Sequence, residues 1–341
     1  VPEISEHNAA IGELPVFWRS AAAPADAAAK PPVLYLHGVP GNSDDWIAPA
    51  EHHGRRPLWK RWWRHKRATD EWVQPPAYAR GFLERTGGLA PDLPGFGRSG
   101  KPGHFDYSID GYADFIERFL DLAEVERVRL VVHDWGAVGL RFAQRHPARI
   151  ARLVVTNAVP LLPDYRWHRV ARAWRTPLLG ELAMGSTTRW TLRRASREAN
   201  ATAGPLPEAW LDSVLAHFDQ GTQRAILRLY RSAPSEALAR AGLELGSIAA
   251  PALVVWGMRD PYIPARFARE YARALRGAGG TGGAAEAELL ELPDGACEAE
   301  LLELPDGAGE AELLELPDAG HWWWLDRPDA IARVVAFLER P

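Results

Sequence analysis

One cysteine, Cys297, and two methionines stand in a chain of 341 residues, so an intrachain disulfide framework is excluded and a cysteine-rich metal cluster has no ligands. A single thiol also fits a reducing compartment, and a cytoplasmic protein is expected. Charge of one sign is lacking too. Lys and Arg number 40 against 44 Asp and Glu, a net charge of -4, which gives no electrostatic footprint for nucleic acid. No uninterrupted apolar run approaches membrane-spanning length, and the N-terminus lacks the basic-then-apolar order of a secretion signal. No nucleic-acid partner, no membrane partner, no cofactor and no metal are therefore expected. The length suits one large α/β domain carrying an inserted lobe.

What is present is organised around Leu130-Val131-Val132-His133-Asp134-Trp135-Gly136-Ala137. A β-branched apolar run of this kind reads as a buried parallel strand, and Val138 to Arg145 reads as a helix that ends at His146-Pro147. Strand, sharp turn and helix form the setting of a nucleophile elbow, whose familiar form is G-x-S-x-G. Here Asp134 holds the nucleophile position, Gly136 supplies the small residue after it, and Val132 replaces the first glycine. As an isolated residue, Asp134 would sooner be read as a buried or capping aspartate at a strand end. Its neighbours in the chain decide the matter.

Residues 1–20 read as leading strands, and Ser20 to Pro32 as an Ala/Pro-rich linker. Val33-Leu34-Tyr35-Leu36 is a second short buried strand that runs into His37-Gly38-Val39-Pro40, a tight loop able to turn backbone N–H groups into a cleft. From about 48 to 85 the pattern breaks: Arg55, Arg56, Lys60, Arg61 and Arg64 alternate with Trp59, Trp62 and Trp63, a solvated insertion. Leu89 to Pro102 returns to strand and glycine-rich loop without the spacing of a phosphate loop, so it is read as a cleft wall. Ile109 to Leu122 has helical apolar spacing, and Ile150 to Thr156 is the next strand. Residues 157–248 change to Arg-, Trp- and Leu-rich helices punctuated by prolines, a helical lid between two halves of a sheet domain. The first half is 1–156 and the second 249–341.

The second half opens on Ala252 to Gly257, a strand ending at Met258-Arg259-Asp260-Pro261, followed by a helix from Phe267 to Leu275. Ala-Glu-Leu-Leu-Glu-Leu-Pro-Asp then occurs three times with a period of twelve, over about 287–318. Only the third copy abuts Ala319-Gly320-His321, so it is expected to hold the strand position, with the first two looped out.

Asp134, Asp260 and His321 all follow strands, and in a parallel sheet such loops gather at the carboxyl edge. A carboxylate attacking an ester yields only an anhydride. Against an sp³ carbon with a leaving group it forms an alkyl ester, which water activated by an imidazole then hydrolyses. The oxyanion formed on that ester needs backbone donors, for which the Val39 and Trp135 N–H groups are the candidates.

With His37-Gly38-Val39-Pro40, Asp92 to Ser99, His133-Asp134-Trp135-Gly136, Trp256 to Pro261 and Gly320-His321-Trp322 in view, the chain resembles the α/β-hydrolase superfamily, in its epoxide hydrolase and haloalkane dehalogenase branch. The resemblance implies a mostly parallel sheet flanked by helices with an inserted helical cap. It also implies Asp134 as nucleophile, Asp260 as acid, His321 as base and Val39 and Trp135 as oxyanion donors, acting on a small apolar organic substrate and water. Val132, where epoxide hydrolases usually have glycine, resembles the dehalogenases. A halide needs side-chain N–H donors: Trp135 offers one, Val39 replaces the second, and Trp167 or Trp174 is the candidate substitute. An epoxide oxygen needs an acidic O–H, and Leu229-Tyr230-Arg231 resembles that branch's lid motif, with Tyr165 a second candidate. The expectation is an epoxide hydrolase-like enzyme, with haloalkane dehalogenase as the alternative and a ligand-binding member without turnover as a third reading.

Overall fold

The computed structural model describes residues 2–47, 81–201, 204–276, 287–290, 299–302 and 311–340. Most of the basic, Trp-rich stretch thus lies outside the described residues. Its C-terminal end does not: Phe82–Thr86 is a short helix, α1, whose Phe82 and Leu83 are buried in the core. Phe82 packs edge-on against Trp46, Trp323 and Trp324, so these residues belong to the core rather than to an insertion. Apolar burial outweighs the basic composition read upstream of them.

Ten strands form one sheet. They are β1 (Ile4–Ile11), β2 (Leu14–Ala21), β3 (Val33–Leu36), β4 (Gly88–Pro91), β5 (Val128–Asp134), β6 (Ile150–Ala158), β7 (Ala252–Gly257), β8 (Ala287–Leu290), β9 (Ala299–Leu302) and β10 (Ala311–Leu316). Their spatial order is β1-β2-β4-β3-β5-β6-β7-β10-β9-β8. The run from β4 to β10 is parallel throughout, and antiparallel strands extend it at both ends. Strands β3, β5 and β7 are buried at every position, as the apolar runs of a two-sided parallel sheet require. Helices α2 (Ile109–Leu122), α3 (Val138–Arg145), α10 (Arg266–Ala274) and α12 (Ile331–Glu339) lie against the faces of the sheet.

The third repeat copy pairs with β7 in parallel, Ala311 opposite Ala252 through Leu316 opposite Gly257. The two earlier copies are not looped out. Their Ala-Glu-Leu-Leu segments continue the sheet as antiparallel strands β9 and β8. An open strand edge presents unpaired N–H and C=O groups, and a duplicated β-forming segment is an available partner for it.

Between β6 and β7 the chain is helical: α4 (Arg169–Arg175), α5 (Leu179–Gly185), α6 (Arg189–Ala195), α7 (Glu208–His217), α8 (Gln220–Ser232) and α9 (Ser235–Ala241). The last helix to name, α11 (Trp323–Asp326), follows His321. No described helix is long and apolar enough to cross a membrane.

Candidate active site

β5 ends at Asp134 with φ 50° and ψ -118°, a conformation that L-residues avoid. The chain tolerates it because both flanks are packed: a Cβ on Gly136 would sit 2.2 Å from the Leu36 carbonyl oxygen. Gly38 is under the same pressure from the other side, since a Cβ there would come within 2.4 Å of the Asp134 Cβ. The two glycines therefore let the loop after β3 and the turn after β5 close on one carboxylate.

Asp134 Oδ1 accepts from the Val39 N–H at 2.8 Å, and the Trp135 N–H also donates to this carboxylate. Its second oxygen, Oδ2, lies 3.7 Å from His321 Nε2. His321 Nδ1 donates to Asp260 Oδ2 at 2.7 Å, which leaves Nε2 as the nitrogen that faces Asp134. The structure thus brings Asp134, Asp260 and His321 together with the two backbone donors.

Asp260 is oriented by four partners. Tyr262 and Ile263 donate backbone N–H groups to Oδ1 at 2.7 and 3.0 Å, while His321 and Asn157 Nδ2 donate to Oδ2, each at 2.7 Å. Asn157 in turn accepts from the Gly257 N–H at 2.9 Å, so it links the ends of β6 and β7. Sequence reasoning did not single out Asn157. The signal available was an Asn at the end of an apolar strand, a residue type that tolerates the positive φ of 37° it adopts. His37 was quoted only as part of a motif. Its Nδ1 donates to the Gly38 carbonyl at 2.8 Å and its Nε2 accepts from the Leu93 N–H at 2.9 Å, pinning the loop that carries Val39.

Burial raises the Asp134 carboxyl above its usual range, against the opposing His321 charge and the two backbone donors. Burial also disfavours a charged His321, but the Asp260 and Asp134 carboxylates outweigh it and hold this imidazole above its usual value. His133, buried one residue before the elbow, is driven the opposite way by burial and by His321. It stays neutral and donates through Nε2 to the His321 carbonyl at 3.1 Å.

Asp134 and His321 open on a cavity of about 190 Å³ lined by side chains of α4, α5, α6 and α8. Tyr230 and Trp174 line it, their rings edge-on at 5.0 Å. Two other candidates do not. Trp167 donates its indole N–H to the Ala233 carbonyl at 2.9 Å, and Tyr165 donates its hydroxyl to the Tyr262 carbonyl at 3.4 Å. Both polar hydrogens are committed to backbone acceptors within the fold. Trp135 is buried, stacked on Trp167 and edge-on to Tyr230, with its indole N–H directed at the Tyr230 hydroxyl. Among the described residues no group of three His, Cys, Asp or Glu side chains could hold a metal ion.

Residues 31–296 match the family model described as alpha/beta hydrolase fold. A haloalkane dehalogenase of Mycolicibacterium paratuberculosis is 33% identical over 187 residues, covering 51% of this chain and 59% of that protein. The chain therefore spans rather more than half the length of that relative. Among solved structures, haloalkane dehalogenase DbeA of Bradyrhizobium elkani USDA94 superposes with a TM-score of 0.66 at 22% identity, over 99% of both chains. Epoxide hydrolase CorEH gives the same TM-score at 16% identity over 98% of both chains, a likeness of fold. With its parallel sheet, its turn after β5 and a family match across most of its length, this chain belongs to the alpha/beta hydrolase fold family.

Proposed function

We propose that the protein cleaves a carbon–halogen bond through a covalent ester on Asp134. The carrying observation is the arrangement of one carboxylate. Oδ1 sits on the Val39 N–H at 2.8 Å, Oδ2 lies 3.7 Å from His321 Nε2, and both residues line the cavity. Oδ2 bonds to the substrate carbon as halide leaves with the bonding pair. Water then adds to the ester carbonyl carbon, giving its proton to His321 Nε2, and the oxyanion on Oδ1 develops against the Val39 N–H, with the Trp135 N–H as the second backbone donor to this group. Collapse restores the carboxylate and frees an alcohol, and a proton and halide leave the enzyme. The helical stretch 157–248 acts as a cap that keeps bulk water from the ester.

The indole N–H of Trp135 supports halide as leaving group, because this buried donor reaches nothing stronger than the Tyr230 hydroxyl and a halide would take its hydrogen bond. The dehalogenase relatives support it as well. A second reading, epoxide opening, rests on the buried Tyr230 hydroxyl beside the cavity. It would have to work with this one phenol, since Tyr165 is turned to a backbone carbonyl.

The test is incubation with 1-bromobutane and, separately, with styrene oxide. Bromide release is the expected outcome; diol without bromide would move the assignment to the second reading. In His321→Gln, 1-bromobutane should leave a butyl ester on the peptide that carries Asp134. An unmodified peptide, with wild type active, would sink the covalent route.

A further inference from the structure

His168 sits in the same cavity wall and has no part in the chemistry above. It is the N-cap of α4, where its Nδ1 accepts from the Ala171 N–H at 3.4 Å. That bond settles the tautomer: Nδ1 accepts, so in the neutral ring Nε2 carries the proton. Burial and the nearby His321 push the imidazole down to about 4, so it is neutral at physiological pH. The ring packs on Tyr262 at 5.0 Å, and Tyr262 packs edge-on against His321 at 5.2 Å, which sets His168 beside the reacting groups. Nε2–H makes no hydrogen bond to any described residue.

The aliphatic hydroxyls of the cavity wall are occupied. The hydroxyls of Ser186 and Thr187 donate to the Ala183 carbonyl, that of Thr191 to the Ser186 carbonyl and that of Ser196 to the Arg193 carbonyl. Histidine is also a weak choice for a cap that Ser, Asp or Asn would serve better. What it adds over those residues is a second nitrogen, on the edge of the ring away from the helix.

We infer that His168 is an anchoring donor for the substrate: Nε2–H takes a neutral acceptor oxygen, a carbonyl or ether, carried on the apolar body away from the carbon that Asp134 attacks. Substrates of this site are then halogenated or epoxidised compounds with a second, oxygenated position. An anionic group is disfavoured by the neutral ring and by the Asp134 and Asp260 carboxylates nearby. This inference rests on the cavity being the substrate site but not on which leaving group departs.

Binding without turnover tests it. Tryptophan fluorescence titrations with heptan-2-one and with heptane give two dissociation constants for wild type, for His168→Ser, which keeps a cap acceptor, and for His168→Phe, which keeps the volume. The ratio of heptane to heptan-2-one dissociation constants should fall about tenfold in both variants, the worth of one hydrogen bond. In wild type the ketone alone should shift the Nε2 ¹⁵N resonance of His168. A ratio unchanged in folded His168→Ser, or no binding of the ketone to wild type, overturns the anchor. Absence of bromide and diol from wild type, with the ratio effect intact, would instead count against the Asp134 chemistry.

Discussion

At the scale of single residues, His321 is governed by two carboxylates of different fate. In the proposed reaction Asp260 takes no part in the ester, while Asp134 loses its charge on becoming one. Both raise the imidazole in the free enzyme, against burial. The imidazole must be neutral to take a proton from water, which in the proposed reaction it does only after Asp134 has become an ester. Once Asp134 is esterified, one of the two charges is gone and the imidazole titrates lower. The acid limb of ester hydrolysis, measured in single turnovers, should therefore lie at lower pH than the His321 titration followed by NMR in the free enzyme. Coincidence of the two would mean that no charge is lost beside His321 during the reaction.

At the scale of elements, much was legible. Strands β3, β5, β6 and β7 announced themselves as β-branched runs, and the residues after three strands led to Asp134, Asp260 and His321. Cap residues were harder. Tyr165, Trp167, Trp174 and Tyr230 carry the same type of signal in the chain, and only tertiary hydrogen bonds separate the two that reach the cavity from the two held by carbonyls. Asn157 and His168 escaped for a similar reason, since their roles depend on partners about 100 residues away or on one ring nitrogen. The repeat misled in another way: its third copy was placed by its neighbour His321, but an edge strand has no sequence signature apart from the edge it meets. Because β10 pairs with β7 directly, β9 and β8 only extend the sheet. Deleting residues 287–310 removes two periods and joins Glu286 to Ala311, the same dipeptide as Glu310-Ala311. The shortened protein should fold with a melting temperature within a few degrees of wild type and keep its bromide release. A collapse of either would show that β9 and β8 support the strand carrying the chain to His321.

At the scale of the whole molecule, the helical stretch is tied to the sheet domain at two polar points. On one side Lys101 Nζ donates to the His217 carbonyl and pairs with Asp219, both at 2.9 Å, and Arg224 reaches the Lys101 carbonyl at 2.7 Å. On the other, Ser213 of α7 stands among the buried polar residues that follow β3. Its hydroxyl donates to Asp44 Oδ2 at 2.6 Å and accepts from Asn42 Nδ2 at 2.9 Å. Asp44 is itself paired with Arg19, so Ser213 joins the cap to a charged network inside the core. The exposed pair contributes little, because solvent screens it. The buried hydroxyl is different: removing it takes a hydrogen bond from a carboxylate and another from an amide, neither in reach of bulk water. Ser213→Ala should therefore cost about 1–3 kcal/mol, read as a lower midpoint with an unchanged slope in urea denaturation. Lys101→Ala should shift the midpoint by far less. Equal effects from the two substitutions would mean that the cap is held by its apolar contacts, such as Trp210 against Trp322 at 5.1 Å, and not by the polar bridge.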